Sequence, residues 1–326
     1  MLNVISQSLG SKKVRGPKKV AENLIKGLDI IRYPYMINRG LDSCPLLWIH
    51  DDIRALKHIS KLSNNTKIII GPNLFINPSD IPKNLDLSRV VYIHPSTIVT
   101  DGWKARGYLK STLDVWPVGI DTDIHTPSKE IRNQVLIYFK HRTEKELNLI
   151  KEVMKSKKIS YMIVSYGSYT EAAYINILKK TQYIVWLGGY ESQGIALEEA
   201  LASDIPILVI DRENPVTKFD TNSTAAPYFD SRCGEKICGG SESSRDTIAQ
   251  AVDRMEQMWS ILHPRVFILE NLSLQKQAEK FIALYEKHFD LSVTTTKHEL
   301  PYNSVIWKPA SFIEKIFAKI YRIIKL

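Results

Sequence analysis

The stretch WLGGYESQGIALEEALASDIPILVID, from Trp186 to Asp211, constrains the fold of this chain more than any other. The apolar run YIVWL ends in two glycines, an alanine-rich segment carries Glu191 and Glu199, and a second apolar run, PILVID, follows. Short apolar runs bounded by glycine or proline, with a helix-length segment between them, read as strand, glycine turn, helix and strand. Glycine lets backbone approach a ligand closely, and the first free amides of the helix favour an anion such as a diphosphate. A carboxylate accepts hydrogen bonds from sugar hydroxyls. Together these parts describe a nucleotide-sugar site.

The same rhythm runs through the chain. The first half alternates NVISQSL, PKKVAENLIKGLDII, PLLWIH, DDIRALKHISKL, TKIIIG, RVVYIH and DVWPV. A polar, turn-rich linker (Gly119 to Asn133) precedes a second series: QVLIYFK, TEKELNLIKEVMKSK, SYMIVSYG, TEAAYINILKK, YIVWL, the motif helix and PILVID. Near-continuous apolar runs alternating with amphipathic stretches predict parallel sheets with crossover helices. The expectation is an α/β chain of two Rossmann-like domains whose parallel sheets face across a cleft, the N-terminal domain being short. Ligands belong at the carboxyl ends of such strands.

With 44% hydrophobic residues in 326, two buried cores are affordable. The formal charge of +9 comes from dispersed basic residues with no zinc-finger or RNA-recognition pattern, which argues against a nucleic-acid partner. Cys44, Cys233 and Cys238 form neither an even disulfide framework nor a metal pattern, as expected of reduced thiols in the cytoplasm. The apolar run at the N-terminus is too short for a signal peptide, and no run reaches membrane-spanning length. The last stretch, PASFIEKIFAKIYRIIKL, places apolar residues on one helical face and Lys315, Lys319, Arg322 and Lys325 on the other. A helix over 299–326 would therefore pack on the N-terminal domain, or lie through 308–326 as a peripheral contact on a membrane face.

The segment ESQGIALEEALA (Glu191 to Ala202) resembles the donor-site motif of retaining GT-B glycosyltransferases of the family 4 type, roughly E-S/G-F-G-x-x-x-x-E-A-x-A. Both acids, Gly194 and the small-residue tail match, while Gln193 replaces an aromatic or aliphatic residue. VWPVGIDTDIHTP (Val115 to Pro127) looks like V-I-P-N-G-V-D-x-x-x-F-x-P, with Val118 in place of Asn and His125 in place of Phe. Asp121 and Asp123 read as turn acids rather than as a cation site. LIYFKHRTEK (Leu136 to Lys145) lies where the family has F-V-G-R-x-x-x-E-K-G, putting Lys140 on the arginine and Lys145 on the lysine, with Arg142 a substitute contact. LGSKKVRGPKKVAENLIKGL resembles the glycine-rich loop and first helix, with Gly16 just before the helix. SYGSYTEAAYINIL falls on the nucleobase loop, where Tyr166, Gly167 and Tyr169 are base neighbours.

The resemblance implies a glycosyltransferase that moves a sugar, with retention of configuration and without a metal, from a nucleotide-sugar donor to a glycan or lipid-linked glycan acceptor. It implies no cofactor beyond that donor. Residues 1–126 would form the acceptor domain and 127–298 the donor domain. Glu191 would contact sugar hydroxyls, Gln193, Gly194 and Ile195 would line the donor, Gly194 and Ile195 with their amides, and Glu199 would hold the ribose diol. The family's T-x-H is replaced by Gly71-Pro72-Asn73, leaving Asn73 and His50, with Asp51 to orient it, as candidates beside the reacting centre. His50 and His94 read equally as structural hydrogen-bonders at strand ends. Two other readings stay open: a nucleotide-sugar epimerase of the same fold, and a non-catalytic nucleotide-binding scaffold.

Overall fold

The computed structural model describes residues 1–11, 16–212 and 223–291. The terminal helix expected at 299–326 lies outside the described residues. Two compact units form: Met1–His94, Arg106–Trp116 and the chain from Ala278 make one, and Pro95–Ala105 with Pro117–Gln277 the other.

In the first unit the apolar runs become β1 (Leu2–Ile5), β2 (Tyr35–Ile37), β3 (Leu46–Ile49), β4 (Lys67–Ile70), β5 (Val90–His94) and β6 (Thr112–Val115). All pair in parallel, in the order β2-β1-β3-β4-β5-β6. β1, β3 and β5 are buried at every residue, as strands covered on both faces must be. α1 (Gly16–Ile30) follows β1, and α2 (Ile53–Leu56) follows β3. DDIRALKHISKL is thus helical for only one turn before a 3₁₀ turn at Ile59–Lys61. Trp48, Trp116 and Phe281 meet edge to face, with centroids 4.8 to 5.9 Å apart. Tyr285 donates to the Leu47 carbonyl at 2.7 Å.

The second unit contains α3 (Thr97–Ala105), β7 (Gln134–Phe139), α4 (Glu144–Ser156), β8 (Tyr161–Ser165), α5 (Glu171–Leu178), β9 (Thr181–Leu187), α6 (Ile195–Ala202), β10 (Ile207–Asp211), β11 (Gly234–Cys238), α7 (Arg245–Met258) and α8 (Pro264–Asn271). Then α9 (Leu274–His288) carries the chain back to the first unit. This sheet is also parallel, in the order β8-β7-β9-β10-β11. In both sheets the strand order reverses beside the first strand, between β1 and β3 and between β7 and β9. Loops leaving two such strands turn to opposite faces, which opens a crevice at the carboxyl edge.

The segment from Pro117 to Pro127 is bound tightly within the second unit. Ile120 donates to the Leu272 carbonyl at 2.7 Å and bridges Ser273. A side chain on Gly119 would stand 2.7 Å from the Leu274 Cα and 2.8 Å from the Ser273 carbonyl, so only glycine fits. The Gln193 carboxamide accepts from the Val118 amide at 3.0 Å and donates to the Val118 carbonyl at 2.8 Å. The same Nε2 also donates to Glu198 Oε2 at 2.8 Å. Asp121 Oδ1 takes the amides of Asp123 and Ile124, making it the turn acid expected.

Glu198 is fully buried, and its Oε1 has no partner among the described residues. Burial holds this carboxyl well above the usual carboxylate range, and Glu199 and Glu191 push the same way against the Gln193 hydrogen bond. A carboxyl whose pKa rises on folding favours the folded state at low pH and progressively opposes it as pH climbs past the unfolded value. Glu198→Gln keeps an acceptor for Gln193 and removes the proton equilibrium. Melting curves should show a gain of about 2–4 °C at pH 8 that vanishes near pH 4; an equal shift at both values would refute the neutral carboxyl. Gly119→Ala should cost about 1–3 kcal/mol in denaturant titrations, because the obstructing atoms are backbone.

Candidate functional site

The crevice of the second sheet is built from the loops after β7 and β9. Lys140, the first residue past β7, keeps the ladder going by donating its amide to the Leu187 carbonyl at 3.0 Å. Its ammonium grips Glu191 through both carboxylate oxygens, at 2.7 and 2.9 Å. With side chains only 15% and 10% exposed, this pair is shielded from water in a way surface ion pairs are not. Burial raises the Glu191 carboxyl above its usual range, against the opposing pull of Lys140. The ammonium also lies 4.3 Å from the centroid of the exposed Tyr166 ring. Lys140, Glu191 and Tyr166 therefore form one constellation, although they come from three separate loops.

Gly188 and Gly189, which precede it, are crowded by protein. A Cβ on Gly188 would lie 2.4 Å from Trp186 Nε1, and one on Gly189 would lie 3.0 Å from the His141 Cβ. Gly194 caps α6 with φ +97° and ψ 42°, a left-handed conformation that glycine adopts without strain. The first amides of α6 follow directly at Ile195. Gln193 points its side chain to Val118 and Glu198, so only its backbone is left for the loop surface.

Along α6, Glu199 is 5% exposed and its Oε1 stands 3.4 Å from His125 Nε2. Glu171, in the first turn of α5, brings a second carboxylate near, and one ligand atom from each of His125, Glu171 and Glu199 lies within 4.8 Å of the others. An imidazole and two carboxylates suit a divalent transition ion by type.

Arg142 is occupied structurally. Its guanidinium donates to Glu146 at 2.8 Å and to the carbonyls of Gly188, Ile210 and Gly239 at 3.1, 2.8 and 2.9 Å, with no side-chain exposure. The substitute phosphate contact expected of it is therefore not offered: its donors tie together the segments that follow β9 and β11 and the end of β10. Lys145 is exposed in the first turn of α4. Gly167 takes φ +83° in the loop after β8. Tyr169 hydrogen-bonds the buried Tyr138 hydroxyl at 2.7 Å, which places it closer to the core than Tyr166.

In the first unit, the loops after β1, β3 and β4 bring together the start of α1, where Gly16 is exposed, His50 and Asn73. His50 Nε2 lies 2.9 Å from the Pro17 carbonyl and 3.3 Å from Asn73 Nδ2. A carbonyl only accepts, so Nε2 carries the proton and is engaged. Burial also lowers the affinity of this ring for a second proton. Asp51 does not orient His50; it accepts the amides of Gln7 at 2.8 Å and Ser8 at 3.1 Å. His94 is pushed down to about 3 by burial and stays neutral.

Sequence reasoning gave no role to His125 or Glu198. The available signal was that His125, like Gln193 and Val118, departs from the pattern its segment otherwise follows.

Neither a protein-family model nor a curated protein sequence matches the chain. Solved structures do. Sucrose-phosphate synthase from Thermosynechococcus elongatus superposes with a TM-score of 0.58 at 11% identity, over 88% of this chain and 98% of that one. Anabaena HepE, solved with UDP and glucose, gives 0.56 at 10% identity over 88% and 99%. TarM gives 0.50 at 13% identity over 82% of this chain, which spans 58% of the TarM chain, less than two thirds of it. With two parallel α/β sheets of six and five strands, the fold of the protein is that of the GT-B glycosyltransferases.

Proposed function

We propose that the protein is a retaining, metal-independent glycosyltransferase that carries a sugar from a nucleoside-diphosphate donor to a glycan or lipid-linked glycan acceptor. The observation that carries this reading is the Lys140–Glu191 pair at the β7/β9 crevice, beside the N-terminus of an α6 that also bears Glu199. Glu191 orients the transferred sugar through its hydroxyls. The Gly194 and Ile195 amides and the Lys140 ammonium stabilise the negative charge that grows on the departing diphosphate, with Lys145 a further cation. Glu199 takes the ribose diol, and Gly167 with Tyr166 and Tyr169 borders the base. The acceptor hydroxyl attacks the face that the diphosphate leaves, and its proton passes to the departing phosphate oxygen. His50 and Asn73 contribute positioning in the acceptor domain, not proton transfer, since Nε2 is held by Pro17.

HepE was solved with UDP and glucose, which supports a nucleotide donor here by analogy of fold. Among the described residues no helix is long and apolar enough to cross a membrane. A cytoplasmic enzyme that meets a lipid-linked acceptor at the membrane face, through residues 308–326, fits the basic composition.

Calorimetric titration with UDP, GDP and ADP in the presence of EDTA should give micromolar binding of one of them. Lys140→Ala should weaken that binding about tenfold or more, the scale of a lost charge-assisted contact. Glu191→Gln should leave the nucleotide affinity within about threefold while lowering sugar transfer about a hundredfold or more. Equal loss of binding and transfer in the Glu191 variant would reverse its assignment. NMR of the product's anomeric centre decides retention against inversion.

A further inference from the structure

We propose that His125 is a positioning residue that fixes the Glu199 carboxylate and thereby sets how strongly the site selects a ribose with both hydroxyls present. This rests on the reading above, in which Glu199 takes the ribose diol.

The geometry comes from three elements. His125 is 2% exposed and turns its Nε2 to Glu199 Oε1 at 3.4 Å. Its Nδ1 has no hydrogen-bond partner among the described residues. A proton on Nδ1 would be a buried donor with nothing to receive it, whereas one on Nε2 has the Glu199 carboxylate 3.4 Å away, a long contact. The backbone beneath the ring is over-determined. The His125 amide donates to the Asp121 carbonyl at 3.0 Å, and the Arg265 guanidinium donates to the carbonyls of His125 and Thr122 at 2.6 and 2.9 Å. The ring cannot easily swing away.

Like charge stands close to Glu199. Glu171 approaches from α5 with like charge, and Glu198 is its neighbour in sequence. Tyr174, which also faces it from α5, spends its hydroxyl on the Ala196 carbonyl at 2.9 Å. A donor on Oε1 orients the carboxylate plane and leaves lone pairs on both oxygens in fixed directions. Two vicinal hydroxyls require that directional match, whereas a single hydroxyl can be followed by a carboxylate that rotates. An aromatic hydrocarbon at position 125 fills the same space and supplies no donor.

The test is calorimetric binding of UDP, 2′-deoxy-UDP, ADP and 2′-deoxy-ADP to the full chain and its variants. The unmodified protein should prefer whichever ribonucleotide it binds over its 2′-deoxy form by about ten- to hundredfold, the worth of one hydrogen bond to a charged group. His125→Phe and His125→Met should bring that ratio to within about threefold of unity, and His125→Gln, which keeps an N–H donor, should hold most of it. Folded Phe and Met variants that retain the full ratio overturn the proposal. A merely structural role would weaken both nucleotides in parallel and leave the ratio standing, so that outcome also rejects it. Glu199→Ala separates the two levels. If that variant loses the ratio and the His125 variants do not, the ribose reading survives and the role of His125 falls. If Glu199→Ala keeps the ratio, the ribose reading itself is wrong.

Discussion

A buried guanidinium holds the second unit's working edge in place. Arg142 satisfies carbonyls on the Gly188 loop, at the end of β10 and on the Gly239 turn, and pairs with Glu146 in the first turn of the following helix, α4. Carbonyls there have run out of ladder partners, and buried polar groups without partners are costly. The planar fork of donors meets several of them at once, which a lysine ammonium on a flexible stem does less well. Because the Gly188 loop is tethered in this way, the next residues reach Glu191 at a set height above the sheet, and Lys140 can close on it. The fork also fixes what may stand beside it: a Cβ on Gly240 would lie 2.4 Å from Nη2.

Much of this was legible beforehand, for one physical reason. A central parallel strand is buried on both faces, so LNVI, LLWI, VVYIH, QVLIYF and ILVID announce themselves as near-continuous apolar runs. The helix after QVLIYF announces itself through Thr143 and Glu146, which form a capping box. Two of the edge strands gave no such sign. β2 and β11 have no fully buried residue, and YMI and GEKIC carry too little apolar pattern to distinguish from loop. The helix expected after β3 starts at its Asp52 cap but lasts a single turn before a 3₁₀ turn takes over, a break that periodicity does not register.

The site was legible in its motif positions and opaque in its pairings. That Lys140 and Glu191 meet follows from the adjacency of β7 and β9, which a list of segments does not contain. Arg142 looked like a ligand contact because an arginine beside an anion site usually advertises one; its burial is a property of the folded loops alone. Three departures from the expected pattern turned out to be partners of the motif rather than erosion of it. Val118 and Gln193 bond each other, and His125 faces Glu199. Such pairs are what a coherent folding landscape requires, since a polar residue at a buried position persists only with a complement.

The two crevices differ in a way that bears on the division of labour between the units. At the reversal point of the first sheet, the amides of Gln7 and Ser8 converge as they would on a phosphate, yet Asp51 already occupies them. An anion delivered by the chain itself never dissociates into bulk solution. Its effective concentration at those amides exceeds what a free metabolite reaches, so a visiting anion would have to displace a tethered one. The reversal point of the first sheet is in that sense saturated with its own ligand.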